Sequence, residues 1–420
     1  MGGQDTLKSV RRAHEAVVID AIARAGPLPR LDLIEQTGLS RTTLLAVVTD
    51  LVAKGALLEG KADSAPRRGR PTQLLRLNPR GGLWMAVEVA PARLRVGFAN
   101  AAHEVIATDE WPIAVNAARA TRMRAVDRLI EQTATQEGIA LTALRGAAVA
   151  GVGVDPSGHV SHGPEIADPD AAAVRRHVAK RFGVPTLLND STRLAAFAEA
   201  TWGVARGCSD VLFVRLSHSV AAGVIANGQL VSGAMGRSGA IGHVVVTPGG
   251  HPCRCGQRGC LETEIGVGGL LRDLTAAGLA VKTPTDLLDL LEAGDRTART
   301  VVRRAALLLV DVLVPVLAAL NPEVLVLGGV LARAEHDVLE VVREQVASRA
   351  VPEFAEKVKV VAGRPLHGFE AVSGGLAVLL TDDRRLESVQ DRIRNARPVV
   401  PEPVAGPTDD RIARRAGVSI

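Results

Sequence analysis

The chain has 420 residues, 47% of them apolar, so it can bury large cores, and its length fits two or three domains. Its four cysteines, three of them between positions 253 and 260, do not fit a disulfide framework, and no apolar secretory signal opens the sequence, so we expect a cytoplasmic protein. Residues 1–82 carry 13 Lys and Arg against 8 Asp and Glu, a net charge of +5 that equals the whole-chain value and favours a polyanionic partner for this segment.

The first predicted elements form a helix-turn-helix. Apolar residues at helical spacing and the stop signals after them predict three helices, over residues 14–25, 31–38 and 41–54. Ser40 can cap the third helix, and only a few residues separate it from the second. In DNA-binding proteins of this pattern the start of the second helix of the pair faces base edges in the major groove. The residues at that start, and hence the predicted base contacts, are Arg41, Thr42 and Thr43.

A basic loop follows the three helices. Short strands are predicted over 56–60 and 73–78, and the loop between them would complete a winged helix-turn-helix. The loop carries Arg67, Arg68 and Arg70 next to glycine and proline. Arginines in such an extended loop can enter a narrow minor groove. A helical hairpin with an exposed basic loop is the alternative, but helix pattern, wing and charge together favour DNA binding.

Three cysteines and a histidine have the spacing of a metal site. Cys253, Cys255 and Cys260 lie on a glycine-punctuated loop, and His243 stands ten residues before the first of them. Three thiolates and one imidazole form a tetrahedral Cys3His zinc set. A redox site would favour C-x-x-C near a helix start, whereas C-x-C-x4-C suits wrapping around an ion. The spacing therefore predicts Zn2+ rather than a free-thiol loop.

The most apolar stretch, residues 305–320, is too short to span a membrane and contains Asp311 and Pro315. We predict a buried helix there and no membrane partner.

Two motifs carry a family resemblance. GAIGHVVV, at 239–246, followed by CRCGQRGCLE, at 253–262, resembles the signature of the ROK family of bacterial sugar kinases and sugar-responsive repressors. LNPEVLVLGGVLA, at 320–332, is similar to the family's C-terminal strand and turn, and the N-terminal fifth is similar to the DNA reader of its repressor branch. The resemblance covers roughly residues 10–380. It implies an α/β fold, with an N-terminal winged helix-turn-helix followed by a two-lobed actin-like (ribonuclease H-like) domain. It also implies that the zinc is structural and that His243 faces a sugar pocket, with Glu262 nearby.

The phosphate turns of the family's kinases are altered here. The first turn reads like D-x-G-G-T in the family, but in this chain Glu88 stands at the acidic position and Ala90-Pro91-Ala92 follows. The second resembles G-T-G-x-G-x-G, and of those glycines the segment 217–223 keeps only Gly223. Proline removes an N–H donor, and the missing glycines block a close approach of backbone to phosphate. Both turns therefore predict an inactive kinase site.

The catalytic base of the family is also in question. Counted without gaps from both flanks, the family aspartate falls on Ser191, whereas a one-residue insertion would give the role to Asp190. Ala240 stands where the family has a sugar-binding glutamate. The remaining polar residues, which we predict to form a ligand pocket, are Asn189, Asp190, His243 and Glu262. The alternative is a vestigial site whose polar groups bond one another.

We predict three segments: a DNA-binding domain over 1–82, a ROK-like domain over 83–383 with its zinc loop at 243–262, and a polar, flexible tail over 384–420. The predicted function is a transcriptional regulator of the repressor type, not an enzyme. It would bind an inverted-repeat, double-stranded DNA operator as a homodimer or homotetramer and respond to a sugar or sugar-derived effector. There are two alternatives. One is a ROK-type sugar kinase with an appended DNA-binding domain, and the other is an effector-independent DNA-binding protein.

Overall fold

The computed structural model describes residues 2–61, 73–153, 169–234, 236–363 and 368–381. The wing arginines Arg67, Arg68 and Arg70 and the tail 384–420 lie outside the described residues. Within the ranges given above, no helix combines the length and the apolar character that crossing a bilayer requires.

The N-terminal unit, residues 2–61 and 73–82, is built from three helices and a small sheet. Its elements are α1 (Gly2–Ala25), β1 (Leu28–Pro29), α2 (Arg30–Thr37), α3 (Arg41–Ala53), β2 (Leu57–Lys61) and β3 (Gln73–Leu77). Strand β3 lies between β1 and β2 and is antiparallel to both. Gly38 ends α2 in the left-handed region, at φ 65°, which glycine adopts without strain. The three predicted helices are present, but α1 begins at Gly2 and not at the predicted residue 14. The sequence did not reveal this longer start because the polar first half of α1 lacks the apolar spacing that marks a helix.

The first lobe of the larger domain follows directly. Its elements are β4 (Leu83–Ala90), β5 (Arg93–Asn100), β6 (Val105–Pro112), α4 (Arg119–Gln136), β7 (Leu144–Gly151), α5 (Pro169–Phe182), β8 (Thr186–Asp190) and α6 (Ser191–Thr201). Strands β4 to β6 form an antiparallel meander, and β7 and β8 extend it in parallel, giving the order β6-β5-β4-β7-β8.

The second lobe repeats this sheet. Its strands are β9 (Val211–Leu216), β10 (Val220–Ala226), β11 (Gln229–Leu230), β12 (Val324–Gly328) and β13 (Lys359–Ala362). Their order, β11-β10-β9-β12-β13, matches the first sheet strand for strand, with the same antiparallel and parallel neighbours. The helices are α7 (Leu261–Ile265), α8 (Val267–Ala276), α9 (Pro284–Glu292), α10 (Arg296–Leu320), α11 (Glu340–Arg349), α12 (Pro352–Ala355) and α13 (Glu370–Thr381). The repeated sheet confirms the predicted two-lobed α/β fold.

Helices α6 and α13 pack against each other and join the lobes. Helix α6 contacts β9 and β10 of the second sheet, while α13 contacts β4 and β7 of the first. The two helices approach so closely that a Cβ on Gly374 would overlap the backbone carbonyl of Leu194. The predicted buried helix is the second half of α10, which contains Pro315 and buries Leu309, Leu313 and Leu317. This arrangement leaves a cleft between the sheets, lined by strand ends and by the start of α6.

Candidate functional site

The start of α3 is held in place by a local cap. Ser40 is the N-cap, and its hydroxyl oxygen accepts the backbone N–H of Thr43 at 3.1 Å. The Ser40 hydroxyl also lies 3.0 Å from Oγ1 of Thr42 and 2.8 Å from Oγ1 of Thr43. This cap satisfies a free N–H group of the first turn and fixes the direction in which the helix leaves the turn.

The three predicted base contacts differ in exposure. Arg41 and Thr42 are exposed, whereas Thr43 is half-buried and its hydroxyl serves the cap. Sequence reasoning missed Leu45, one turn further on, which is 54% exposed although its neighbour Leu44 belongs to the core. An apolar side chain on this face can contact a thymine methyl group. The exposed face of α3 therefore combines a cation, a hydroxyl and an apolar group.

The predicted metal ligands come together in the second lobe. One ligand atom from each of His243, Cys253, Cys255 and Cys260 lies within 4.8 Å of all the others. Sγ of Cys253 is 3.4 Å from Nδ1 of His243, and Sγ of Cys255 is 3.5 Å from Sγ of Cys260. A tetrahedral ion with metal–sulfur bonds of about 2.3 Å holds its sulfurs about 3.8 Å apart. The cluster therefore has the donor set and nearly the spacing that zinc requires.

Without a metal ion, burial favours the neutral form of most side chains in the cluster. Burial raises the pKa of Cys260 to about 12 and also raises the pKa of Cys253. Burial alone would raise the pKa of Cys255 too, but hydrogen bonds from the Gln257 backbone and the neighbouring thiols lower it. Burial lowers the pKa of His243, which keeps its ring neutral and able to coordinate. Because thiolates are the ligands, metal binding must release protons and should weaken as pH falls.

The loop 243–262, which carries these four possible ligands and is called the metal loop below, also positions Glu262. Cys260 is the N-cap residue of α7, so Glu262 stands in the first turn of that helix. Its carboxylate accepts Nε of Arg254 at 3.0 Å and Nη2 of Arg254 at 3.3 Å. It also accepts the backbone N–H of Val220, at the start of β10, at 3.1 Å.

A cavity of about 80 Å³ lies between the metal loop, the start of α6 and the end of β7. Of the predicted ligand residues, Asp190, His243 and Glu262 line it. Asn189 is not among the described residues that line it, and its side-chain oxygen accepts Nε of Arg193 at 2.9 Å. Sequence reasoning missed the arginines that line the cavity, namely Arg193, Arg237 and Arg254.

The two candidates for the base point to different places. Asp190 lines the cavity, but its carboxylate caps α6 by accepting the backbone N–H groups of Thr192 at 2.8 Å and Arg193 at 3.3 Å. It also accepts the N–H of Gly153 at 2.8 Å. Ser191 is 1% exposed, and its hydroxyl accepts Nη1 of Arg215 at 3.0 Å. The cavity thus retains a carboxylate at Asp190, although backbone donors already hold it.

Charged side chains form a bridge between the two lobes. Glu88, on β4, is 3% exposed and accepts Nη1 of Arg95 at 2.7 Å. Its other oxygen lies 3.7 Å from Nη2 of Arg215, on β9. Burial alone would lower the pKa of Arg95, but the carboxylates of Glu88 and Glu110 raise it. Glu88 is therefore an internal counter-ion that joins the two sheets.

The two turns at 90–92 and 217–220 both form hydrogen bonds within the protein. Arg122 donates to the carbonyl oxygens of Ala90 at 3.2 Å and Pro91 at 3.4 Å. In the second turn, the N–H of Ser217 donates to the carbonyl of Ser219 at 3.2 Å, while that of Val220 is held by Glu262. Phosphate binding needs free N–H groups that converge on one point, and these two donors are already engaged.

A second cavity, of about 260 Å³, lies where the N-terminal unit meets the larger domain. Arg24, at the end of α1, contributes to its wall together with His103, Trp202 and Arg206. Nη2 of Arg206 donates to the backbone oxygen of Arg24 at 2.9 Å. Burial lowers the pKa of His103 to about 4. A neutral histidine therefore stands at the contact between the two units.

Comparison with known proteins agrees with the predicted family. The profile described as "ROK family" matches residues 85–382. The xylose repressor of Bacillus spizizenii is 23% identical over 354 residues, covering 84% of this chain and 91% of the repressor. A glucokinase of Halalkalibacterium halodurans is 32% identical over 188 residues, covering 41% of this chain and 57% of the kinase. The solved structure of a ROK family transcriptional regulator, described as a homolog of the Escherichia coli MLC protein, superimposes with a TM-score of 0.73. It is 21% identical and covers 91% of this chain and 99% of its own.

Proposed function

The chain belongs to the ROK family, and on that premise we propose that it is a DNA-binding transcriptional regulator of the repressor type whose two-lobed domain does not phosphorylate sugars. The similarity to the xylose repressor extends over 84% of this chain, whereas the similarity to the glucokinase extends over 41%. The additional coverage requires residues outside the larger domain, so it favours the repressor branch.

The observation that carries the proposal is the start of α3. A capped helix that follows a short turn presents Arg41 and Thr42 to solvent, and Leu45 extends the same face. This is the arrangement with which helix-turn-helix proteins contact bases. The net charge of +5 on residues 1–82 supplies attraction to the phosphate backbone. The wing arginines Arg67, Arg68 and Arg70 remain a prediction for the minor groove.

The alternative, a sugar kinase, has one observation in its favour and several against it. In its favour, Asp190 lines the cavity at the position where a base could reach a sugar. Against it, Pro91 in the first turn has no backbone N–H to offer a phosphate, and two donors of the second turn are bonded internally. Glu88 is neutralised by arginines instead of facing a metal ion and phosphate.

We assign a structural Zn2+ to the Cys3His cluster. The donor set is that of structural sites, and the four ligand atoms lie close enough to share one ion. The ion would tie the loop 243–262 to α7 and so fix Glu262 beside the cavity. His243 serves both as a ligand and as part of the cavity wall.

The assignment as a transcriptional regulator also gives roles to the segments of the chain and implies partners. Residues 1–82 form the DNA-binding domain. Residues 83–383 bind the effector and mediate assembly, and residues 384–420 form a tail. The protein acts in the cytoplasm as a homodimer or homotetramer on an inverted-repeat operator, because paired readers need paired half-sites. The cavity beside Asp190, Glu262 and the metal loop takes a sugar or a sugar-derived effector.

Recovery and sequencing of genomic fragments bound by the purified full chain tests the proposed function. We expect a small set of fragments that share an inverted repeat. Recovery of fragments with no shared sequence would contradict the assignment as a specific regulator.

A coupled ADP-release assay over hexoses and N-acetylated amino sugars tests the kinase alternative. We expect no sugar-dependent turnover from the parent protein or from Ser191→Asp. Turnover by the parent that disappears in Asp190→Ala would make the kinase the better assignment.

A further inference from the structure

The cavity beside the metal loop has an unusual charge balance for a site that binds a neutral sugar. Among the residues that the structure describes, five charged ones line it, namely Asp190, Arg193, Arg237, Arg254 and Glu262. Three arginines against two carboxylates leave a net charge of 3 − 2 = +1. Ala240 contributes no charge to the same wall.

Both carboxylates are already engaged. Asp190 accepts three backbone N–H groups, from Gly153, Thr192 and Arg193. Glu262 accepts two N–H groups of Arg254 and one from the backbone of Val220. A neutral sugar is recognised largely by acceptors that take its hydroxyl protons, and few lone pairs remain here for that purpose.

The three arginines also line the cavity, where Arg254 is already paired with Glu262. Arg193 is 2% exposed, and Asn189 and the carbonyl of Gly236 hold its guanidinium at 2.9 and 2.5 Å. Arg237 is half-buried, and in the part of the chain that the structure describes no carboxylate forms an ion pair with it. Guanidinium groups bind carboxylate and phosphate through paired N–H donors, and they do so more strongly when partly buried.

We propose that the cavity binds an anionic sugar derivative, one that carries a phosphate or a carboxylate group. The inference rests on the proposed function, because it names the class of effector for the same pocket. The anion accepts hydrogen bonds from Arg237 and Arg254, and the sugar hydroxyls lie toward Asp190. Since Arg254 otherwise holds Glu262, the ligand competes with that carboxylate. Glu262 in turn binds the N–H of Val220, so ligand binding acts on the start of β10.

Calorimetric titration of the full chain tests the proposal with matched ligands. The probes are neutral pentoses, hexoses and N-acetylated hexosamines, each paired with its phosphate ester and its sugar acid. We expect the charged member of at least one pair to bind about tenfold tighter than the neutral member. The advantage should shrink as ionic strength rises, because salt screens the attraction. Comparing esters with acids shows whether phosphate or carboxylate is preferred.

Three variants locate the binding site. Arg237→Gln and Arg254→Gln should each weaken binding of the charged ligand about tenfold while changing binding of its neutral partner much less. Arg258→Gln is the matched control, because Arg258 lies on the same loop, is exposed and does not line the cavity. A lower melting temperature of Arg254→Gln would show that this variant disturbs the metal loop. The test then rests on Arg237→Gln, because Arg237 lies outside that loop.

The outcomes separate this inference from the proposed function. Gel shifts on recovered genomic fragments are run with the same preparations. If DNA binding is intact but no charged ligand binds more tightly than its neutral partner, the proposal of an anionic effector is wrong and the proposed regulatory function is unaffected. Equal affinity of the parent and Arg237→Gln for the charged ligand would also overturn it. If charged ligands bind and specific DNA binding is absent, the proposed ligand class of the cavity is supported and the proposed function is wrong.

Discussion

At the scale of single residues, Glu88 is a buried charge that joins the two lobes. It is 3% exposed and lies between Arg95 of its own lobe and Arg215 of the other lobe. Glu88→Gln should lower the free energy of unfolding by roughly 1–3 kcal/mol, because it removes a charged partner from two half-buried guanidinium groups, of which Arg95 keeps Glu110. Urea unfolding measures the change. The control is Glu344→Gln, since Glu344 is 64% exposed and its pair with Arg303 should contribute below about 1 kcal/mol. Equal losses in the two variants would contradict the interlobe role.

The site residues that sequence reasoning found are those with a local signal. Cys253, Cys255 and Cys260 are close in sequence, so their spacing alone predicted the set of possible ligands whose atoms the structure brings together. Arg193 and Arg237 were missed because the fold, not sequence spacing, brings them to one wall. Counting residues favoured Ser191 over Asp190, but it could not show that the two side chains leave the turn in opposite directions, one toward the cavity and one toward Arg215.

At the scale of elements, the contact between α6 and α13 depends on a glycine. Gly374 lies in α13 where a Cβ would overlap the backbone carbonyl of Leu194, which cannot move without shifting α6. Gly374→Ala should therefore destabilise the protein by about 1–3 kcal/mol despite the better helix propensity of alanine. Gly268→Ala, in α8, is the control because nothing lies within 4 Å of its Cβ. It should be neutral or stabilise by up to about 1 kcal/mol. Thermal or urea unfolding compares them, and a stabilised Gly374→Ala would refute the tight contact.

The metal loop is the second element whose stability can be tested. A structural ion stabilises the fold that binds it, so zinc removal by a chelator, or Cys255→Ser, should lower the melting temperature and loosen the second lobe. Metal analysis of protein purified without chelator should find one zinc per chain. Cys208→Ser serves as the control because Cys208 lies outside the cluster. Absence of zinc, or an unchanged melting temperature after its removal, would contradict the assignment.

Elements with strong periodic or turn signals were predicted well, and short ones were not. Helix α3 runs from Arg41 to Ala53, close to the predicted 41–54, because Ser40 and Gly55 mark its ends. Strand β1 has two residues, and only its pairing with β3 makes it a strand, so no local pattern could reveal it. The two-lobed architecture was inferred from the family resemblance, since strand order is a property of distant pairs.

At the scale of the whole molecule, His103 links stability to pH at the contact between the two units. Burial lowers its pKa from an ordinary 6.5 to about 4 in the folded protein. As pH falls through this window, the unfolded chain takes up a proton that the folded protein resists, so stability should decline by roughly 3 kcal/mol and level off below pH 4. His103→Asn should remove this part of the decline, and asparagine tolerates the backbone φ of 63°.

Urea unfolding between pH 4 and 7 measures the effect as a difference between variant and parent. His336→Asn provides the control, because the side chain of His336 is 85% exposed. Parallel pH profiles for the parent and His103→Asn would show that His103 is not held neutral at the contact.

Specific DNA binding by the full chain is the central claim, and a competition gel shift at fixed salt tests it most directly. The labelled DNA is a fragment recovered with the parent protein, and the competitor is the same fragment with its shared sequence scrambled. We predict that the parent prefers the intact fragment by about a thousandfold or more. Arg41→Gln should lose about 1–3 kcal/mol of that preference at one base pair. Arg303→Gln, a change on the surface of the larger domain, should lose none. Equal competition by intact and scrambled DNA, with Arg41→Gln indistinguishable from the parent, would contradict the account.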